Sequence, residues 1–130
     1  LSPAQIDYVN AHASSTALND SSETVAIRTA LGERAYDIPV SGTKPYHGHA
    51  LGASGAIEAA ICCLVMTRGW IPPTLNLDEP GDGCDLDYVA NEGRPGKPKA
   101  VMSNSLGFGG INASLVLSRL GFESEAGLGV

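Results

Sequence analysis

The chain has 130 residues, 43% of them hydrophobic and 17% charged, so it is too rich in core-forming residues for a disordered segment and is the size of one domain or a piece of a larger one. Its net charge of −6 removes the electrostatic basis for binding nucleic acid. The longest charge-free stretch at its apolar centre, residues 59–67, is about half of what a bilayer span needs, which argues against a membrane partner.

Gly (16) and Pro (8) together point to tight turns and close backbone approaches rather than a plain helical bundle. The first residues, LSPAQID, have neither a basic flank nor an apolar signal core, and Leu1 in place of Met points to a fragment or a processed piece. Three cysteines, two of them adjacent (Cys62 and Cys63, with Cys84), cannot build a disulfide framework, so a reducing cytoplasm is the expected compartment.

In chain order, IDYVNAHA alternates apolar and polar from Ile6, as a strand does, and empties into a loop at Ser14, Ser15 and Thr16. Asp20 with Glu23 three residues later resembles a capping box, and Val25, Ala26, Ala30 and Leu31 give one face of a helix over 21–31 that Gly32 ends. A short strand at 38–41 leads into SGTKPYHGHALGASG, too rich in Gly, Ser and His for ordinary filler. Residues 52–68 are apolar on every side, with Glu58 the single charge before Arg68, which predicts a helix buried all round. The proline-rich stretch 69–99 reads as a surface excursion with a brief strand at 86–89. Strands at 100–105 and 113–120 flank the turn Gly107-Phe108-Gly109-Gly110 as a hairpin, and residues 121–130 read as a flexible tail.

All three histidines, His12, His47 and His49, sit at a strand exit or in a glycine-rich loop, where imidazole chemistry near neutral pH is at home. Zinc is not expected: there is no C-x-x-C or H-E-x-x-H, and adjacent cysteines on an apolar helix point to different sides. The run Gly52-Ala53-Ser54-Gly55 lacks the nucleophile-elbow spacing, and the run from Gly107 opens a strand where a dinucleotide fingerprint opens a helix. Glu58 is the physical oddity: if buried, it needs Lys44 or a hard cation as partner, and otherwise it marks an exposed stripe.

Three blocks in order, NAHASSTALND from Asn10, GTKPYHGHALGASGAIEA from Gly42 and SNSLGFGGINASLVL from Ser103, closely resemble the C-terminal part of the elongating β-ketoacyl-acyl carrier protein synthases, over about residues 3–120. The resemblance implies an α/β, thiolase-like fold of layers α-β-α-β-α, of which this chain is part of the C-terminal half, in an enzyme that is a homodimer. It implies decarboxylative Claisen condensation of malonyl-acyl carrier protein with an enzyme-bound acyl thioester, extending a fatty acyl chain by two carbons. A polyketide ketosynthase, or a non-catalytic partner resembling a chain-length factor, is the alternative. The partner is acyl carrier protein, and no cofactor is required.

By the same resemblance His12 and His49 match the two catalytic histidines and Lys44 the active-site lysine, acting electrostatically in a network with Glu23. Gly107, Phe108, Gly109 and Gly110 match a gating loop, and Ser14 and Thr16 match positions along the channel for the substrate arm. Asn10, Glu23, Glu58, Ser103 and Asn104 fall where some members hold a structural cation. Ala13 stands where the family has Gly, Ser14 where it has Thr, and Leu106 where Phe is commoner. The nucleophilic cysteine belongs to the first half, and Cys62, Cys63 and Cys84 match no such motif, so the piece alone should be unable to form an acyl-enzyme.

Overall fold

A four-stranded sheet of order β2-β1-β5-β6 forms the centre of the computed structural model, which describes residues 1–122. Its strands are β1 (Tyr8–Ala11), β2 (Val40–Gly42), β5 (Ala100–Leu106) and β6 (Asn112–Ser118). The first three are parallel, and β6 returns antiparallel from β5, with Ala100 opposite Ser118 and Leu106 opposite Asn112. The helices are α1 (Asn19–Leu31), the one-turn α2 (Lys44–His47) and α3 (Ser54–Arg68). Two short strands, β3 (Trp70–Ile71) and β4 (Arg94–Pro95), pair antiparallel beside the main sheet.

The connection through α1 moves from β1 to one neighbour, β2, whereas that through α3 travels back across β1 to β5. Crossovers of one hand running in opposite directions put their helices on opposite faces of a sheet. The strand period of two then divides the core. Val9, Ala11, Val40 and Met102 face α1, where Ile27 and Leu31 close a cluster with Ile6, Ala35 and Ile38. Tyr8 and Val101 face α3, where Cys62, Val65 and Met66 pack with Ile71 and Val89.

Several sequence expectations change in detail. Helix α1 begins at Asn19, with Leu18 at its cap and no side-chain cap bond. The Asp20/Glu23 pair is not a capping box, because Asp20 accepts from the Ser15 N–H and Glu23 reaches back to the end of β1. Residues 86–89 form no strand, although the Asp87 carbonyl accepts the Val40 N–H at 2.8 Å along the open side of β2. Helix α3 is covered on one stripe only, Ser54, Glu58, Cys62, Val65 and Met66, while Ala56, Ala60, Cys63 and Leu64 are exposed. The stretch Leu51–Arg68 is long and apolar enough to cross a membrane by length and composition alone. Here its buried stripe carries a paired carboxylate and packs on the sheet, as a core helix does. Of the expected tail, Phe122 packs against the α1-side core beneath Lys99, and residues 123–130 lie outside the described residues.

Candidate active site

The parallel strands end at the same edge of the sheet, the edge where open α/β sheets gather their functional loops. His12 follows the last residue of β1, Lys44 opens α2 just beyond β2, and His49 lies in the loop before α3. The His12 ring is buried, and its centroid stands 5.3 Å from that of the exposed His49 ring, at an interplanar angle of 80°. The two imidazoles that the sequence places 37 positions apart therefore meet edge to face.

The backbone of His12 is held from both sides. Its N–H donates to Glu23 Oε1 at 2.8 Å, and the Ala13 N–H donates to Glu23 Oε2 at 2.9 Å. Asn104 on β5 donates to Glu23 Oε1, the oxygen that the His12 N–H also reaches, at 3.1 Å, with its own Oδ1 accepting from Ser114 on β6. From the other side Lys44 Nζ donates to the His12 carbonyl and to Glu58 Oε1, each at 2.5 Å. Its third proton has His12 Nδ1 at 3.3 Å, so the three N–H bonds of the ammonium have three acceptors. Of the two partners considered for Glu58, Lys44 is the one present, and the exposed-stripe reading fails because Glu58 is fully buried. No direct Lys44–Glu23 contact forms among the described residues; the two are linked through the His12 peptide.

These contacts fix tautomers. An ammonium only donates, so His12 Nδ1 accepts and the neutral ring carries its proton on Nε2. Burial first, then the Lys44 charge and the His49 ring, hold the His12 imidazole down at about 4 against an ordinary 6.5, so it is neutral at pH 7. The Leu51 N–H points at His49 Nδ1 from 3.1 Å, and a backbone N–H cannot accept, so His49 too keeps its proton on Nε2 when neutral. Leu51 sits at φ +49°, a left-handed conformation that a branched side chain adopts at a cost. Among the described residues neither Nε2 has a hydrogen-bond partner.

The other sequence candidates are spread around this pair. Asn10 donates to Tyr8 Oη at 3.3 Å and to Thr43 Oγ1 at 3.2 Å inside the α3 layer, leaving its Oδ1 buried without a partner, as is Glu58 Oε2. Ser103 is buried on the α3 side against Cys62. Against a cation among Asn10, Glu23, Glu58, Ser103 and Asn104, both oxygens of Glu23 already face N–H donors and Glu58 already has Lys44. What remains for an ion is the pair of unpartnered oxygens on Asn10 and Glu58. Among the described residues no three His, Cys, Asp or Glu side chains group to hold a metal.

Ser14 and Thr16 lie 3.2 Å apart through their hydroxyls, and Thr16 lines a cavity of about 620 Å3 with Ala13, Gly42, Thr74, Cys84 and Tyr88. That cavity lies on the Glu23 side of the loop and is not lined by either imidazole of the pair. The turn at 107–110 closes with the Gly107 N–H donating to the Ile111 carbonyl at 2.9 Å, and Gly109 and Gly110 have φ of +74° and +80°. Phe108 is 98% exposed. Among the described residues neither ring nitrogen of the half-buried His47 has a partner, and burial pushes the Cys62 thiol up to about 12. Sequence reasoning missed Ser54, whose hydroxyl lies 3.2 Å from His49 Nδ1; the signal was a Ser opening the helix that follows the histidine loop.

A family model for the C-terminal domain of beta-ketoacyl synthase matches residues 1–78. The 3-oxoacyl-(acyl-carrier-protein) synthase 2 of Coxiella burnetii is 50% identical over 120 residues, 92% of this chain and 29% of that protein. The tetracenomycin polyketide synthase ketoacyl synthase alpha subunit of Streptomyces glaucescens is 49% identical over 114 residues, 88% of this chain and 27% of that one. A solved ketosynthase bound to a hexaketide, in complex with its type II polyketide acyl-carrier protein, superimposes with a TM-score of 0.89 at 41% identity, covering 92% of this chain and 29% of that one. The chain thus spans less than a third of the length of these relatives.

Proposed function

Since the chain belongs to the β-ketoacyl synthase family, as part of the C-terminal half of its thiolase-like fold, we propose that it supplies the malonyl-decarboxylating half of a condensing site whose acyl-carrying cysteine lies elsewhere in the complete protein. The observation that carries this reading is the imidazole pair, 5.3 Å between centroids, each ring with Nδ1 committed to a donor and Nε2–H free.

When a malonyl thioester loses carbon dioxide, the electrons of the broken C–C bond move onto the thioester oxygen as an enolate. Two neutral N–H donors aimed at that oxygen stabilise charge where it develops. The enolate carbon then attacks the acyl thioester on the cysteine, forming the new C–C bond, breaking C–S and returning the thiolate. Lys44 and Glu23 touch no reacting atom; they fix the His12 ring and peptide. Phe108 with Gly107, Gly109 and Gly110 acts as the gate, and Ser14 and Thr16 line the path of the substrate arm, Thr16 being also a lining residue of the neighbouring cavity. A structural ion, expected among Asn10, Glu23, Glu58, Ser103 and Asn104, is assigned no step, since Glu23 and Glu58 already have donors.

The substrates are malonyl and acyl thioesters of acyl carrier protein, and the product is a fatty acyl chain longer by two carbons, made by a cytoplasmic homodimer. A polyketide ketosynthase is the second reading, favoured by near-equal identity to the synthase 2 enzyme and to the tetracenomycin subunit. A non-catalytic partner is disfavoured by retention of His12, Lys44 and His49. In the complete protein, His49→Ala should abolish malonyl decarboxylation while its cysteine still accepts an acyl group. Decarboxylation at the wild-type rate in that variant would overturn the assignment.

A further inference from the structure

We propose that Ser54 is a positioning residue for His49, its hydroxyl donating to Nδ1 so that the exposed imidazole presents Nε2–H in one orientation. Ser54 is the first residue of α3 and is buried, yet that helix end has no side-chain cap bond, so the hydroxyl is not spent on the helix terminus. Its described partner is His49 Nδ1 at 3.2 Å. A hydroxyl can donate or accept, but the Leu51 N–H, 3.1 Å from the same nitrogen, needs that nitrogen unprotonated, which leaves Ser54 as the donor.

The need for a second donor follows from exposure. His12 is buried and fixed by its surroundings, whereas His49 is exposed and meets its partner ring only edge to face. One hydrogen bond at Nδ1 leaves the ring free to swing about it; two donors sharing its single in-plane lone pair, from the 51 backbone and the 54 side chain, narrow that swing. Small misplacements of a donor at a developing oxyanion are expensive in rate.

The inference rests on the function proposed above, and the test separates the two. In the complete protein Ser54→Ala should lower kcat for malonyl decarboxylation about 3- to 10-fold, the worth of one neutral hydrogen bond. KM for the malonyl substrate and the rate of cysteine acylation should stay at wild-type values, and Ser54→Thr, which keeps the donor, should recover most of the loss. Should Ser54→Ala fail to fold, Ser54→Cys, a weak donor of similar size, carries the same expectations. Wild-type kcat in the Ser54 variant, or an equal loss in both half-reactions, overturns the positioning role. If His49→Ala itself decarboxylates normally, the functional reading falls and the positioning role with it. If His49→Ala is dead while Ser54→Ala is unimpaired, only the positioning role falls.

Discussion

Replacing Glu58 by Gln keeps the shape of the side chain and removes its charge, which makes it a clean probe of the Lys44–Glu58 pair. The pair is 2.5 Å between Nζ and Oε1, with side chains 7% and 0% exposed, so the ammonium has no water to fall back on. Two unit charges about 4 Å apart at an effective dielectric near 20 attract by about 4 kcal/mol, and removing one member of a buried pair costs roughly 3–5 kcal/mol. Glu58→Gln should therefore lower the unfolding free energy of the complete protein by about 4 kcal/mol, read from urea midpoints at fixed protein concentration. Replacing both residues by Met removes the desolvation cost together with the attraction, so the double variant should lose far less than the sum of the two single ones. It should remain folded and still fail to decarboxylate malonyl thioester, since His12 has lost its anchor. A Glu58→Gln loss below about 1 kcal/mol, with additive single variants, would mean the pair behaves as a solvent-screened one and would refute the argument.

Folded His12 titrates near 4 and the free ring near 6.5, so between those values the unfolded state binds a proton that the folded state does not. Its contribution is whole above 6.5 and falls by about 3 kcal/mol as the pH drops to 4; His12→Gln should flatten that slope in urea midpoints, and parallel curves would contradict it. A Cβ on Gly42 would lie 2.6 Å from the Ala13 Cβ, so Gly42→Ala should cost about 1–3 kcal/mol, and Ala13→Gly in the same chain should restore most of it in thermal melts. Ala13 itself sits at φ +40°, which glycine adopts without strain. Cys62 is buried with its thiol pushed up to about 12 while Cys63 is exposed, so iodoacetamide should label Cys63 in the native protein and reach Cys62 only on unfolding, as peptide mass spectrometry would show.

Period and punctuation in the sequence were enough to place β1, α1, α3 and the β5–β6 hairpin to within a few residues, because each carries its own local signal. Glu23 shows where local signals mislead: D-x-x-E before a helix has the spacing of a capping box whether or not the glutamate is wanted elsewhere. Here two backbone N–H groups at the end of β1 claim both of its oxygens, a tertiary contact that no short window contains. Glu58 shows the opposite case. A lone charge on an apolar helix called for a partner if buried, and the choice among Lys44, an ion and an exposed stripe required coordinates. Ser54, opening the helix after the histidine loop, carried a weak signal and Ser114 none, since serine is common at helix starts and on strands, and their significance is the atom each one faces. The all-round apolar character of α3 foretold burial, but the described residues cover one stripe of it, because hydropathy reports what a surface avoids and not which chain segment covers it.

Orientation and protonation of His12 come from one arrangement. The Lys44 ammonium holds the His12 carbonyl and faces Nδ1 at 3.3 Å, and that same positive charge, second to burial, keeps the ring from taking a proton. A carboxylate in the place of Lys44 could orient the ring equally well through Nδ1–H, but it would raise the imidazole pKa and move the free lone pair to Nε2, giving a base where a donor is wanted. The lysine in turn is tolerable in the interior only because Glu58, from the layer on one face of the sheet, balances it, while Glu23, from the layer on the other, holds the peptide that Lys44 pulls on. The charges at the end of β1 together hold His12 neutral with its proton on Nε2, and a substitution that preserved the geometry but inverted one charge would fold into a different acid–base state.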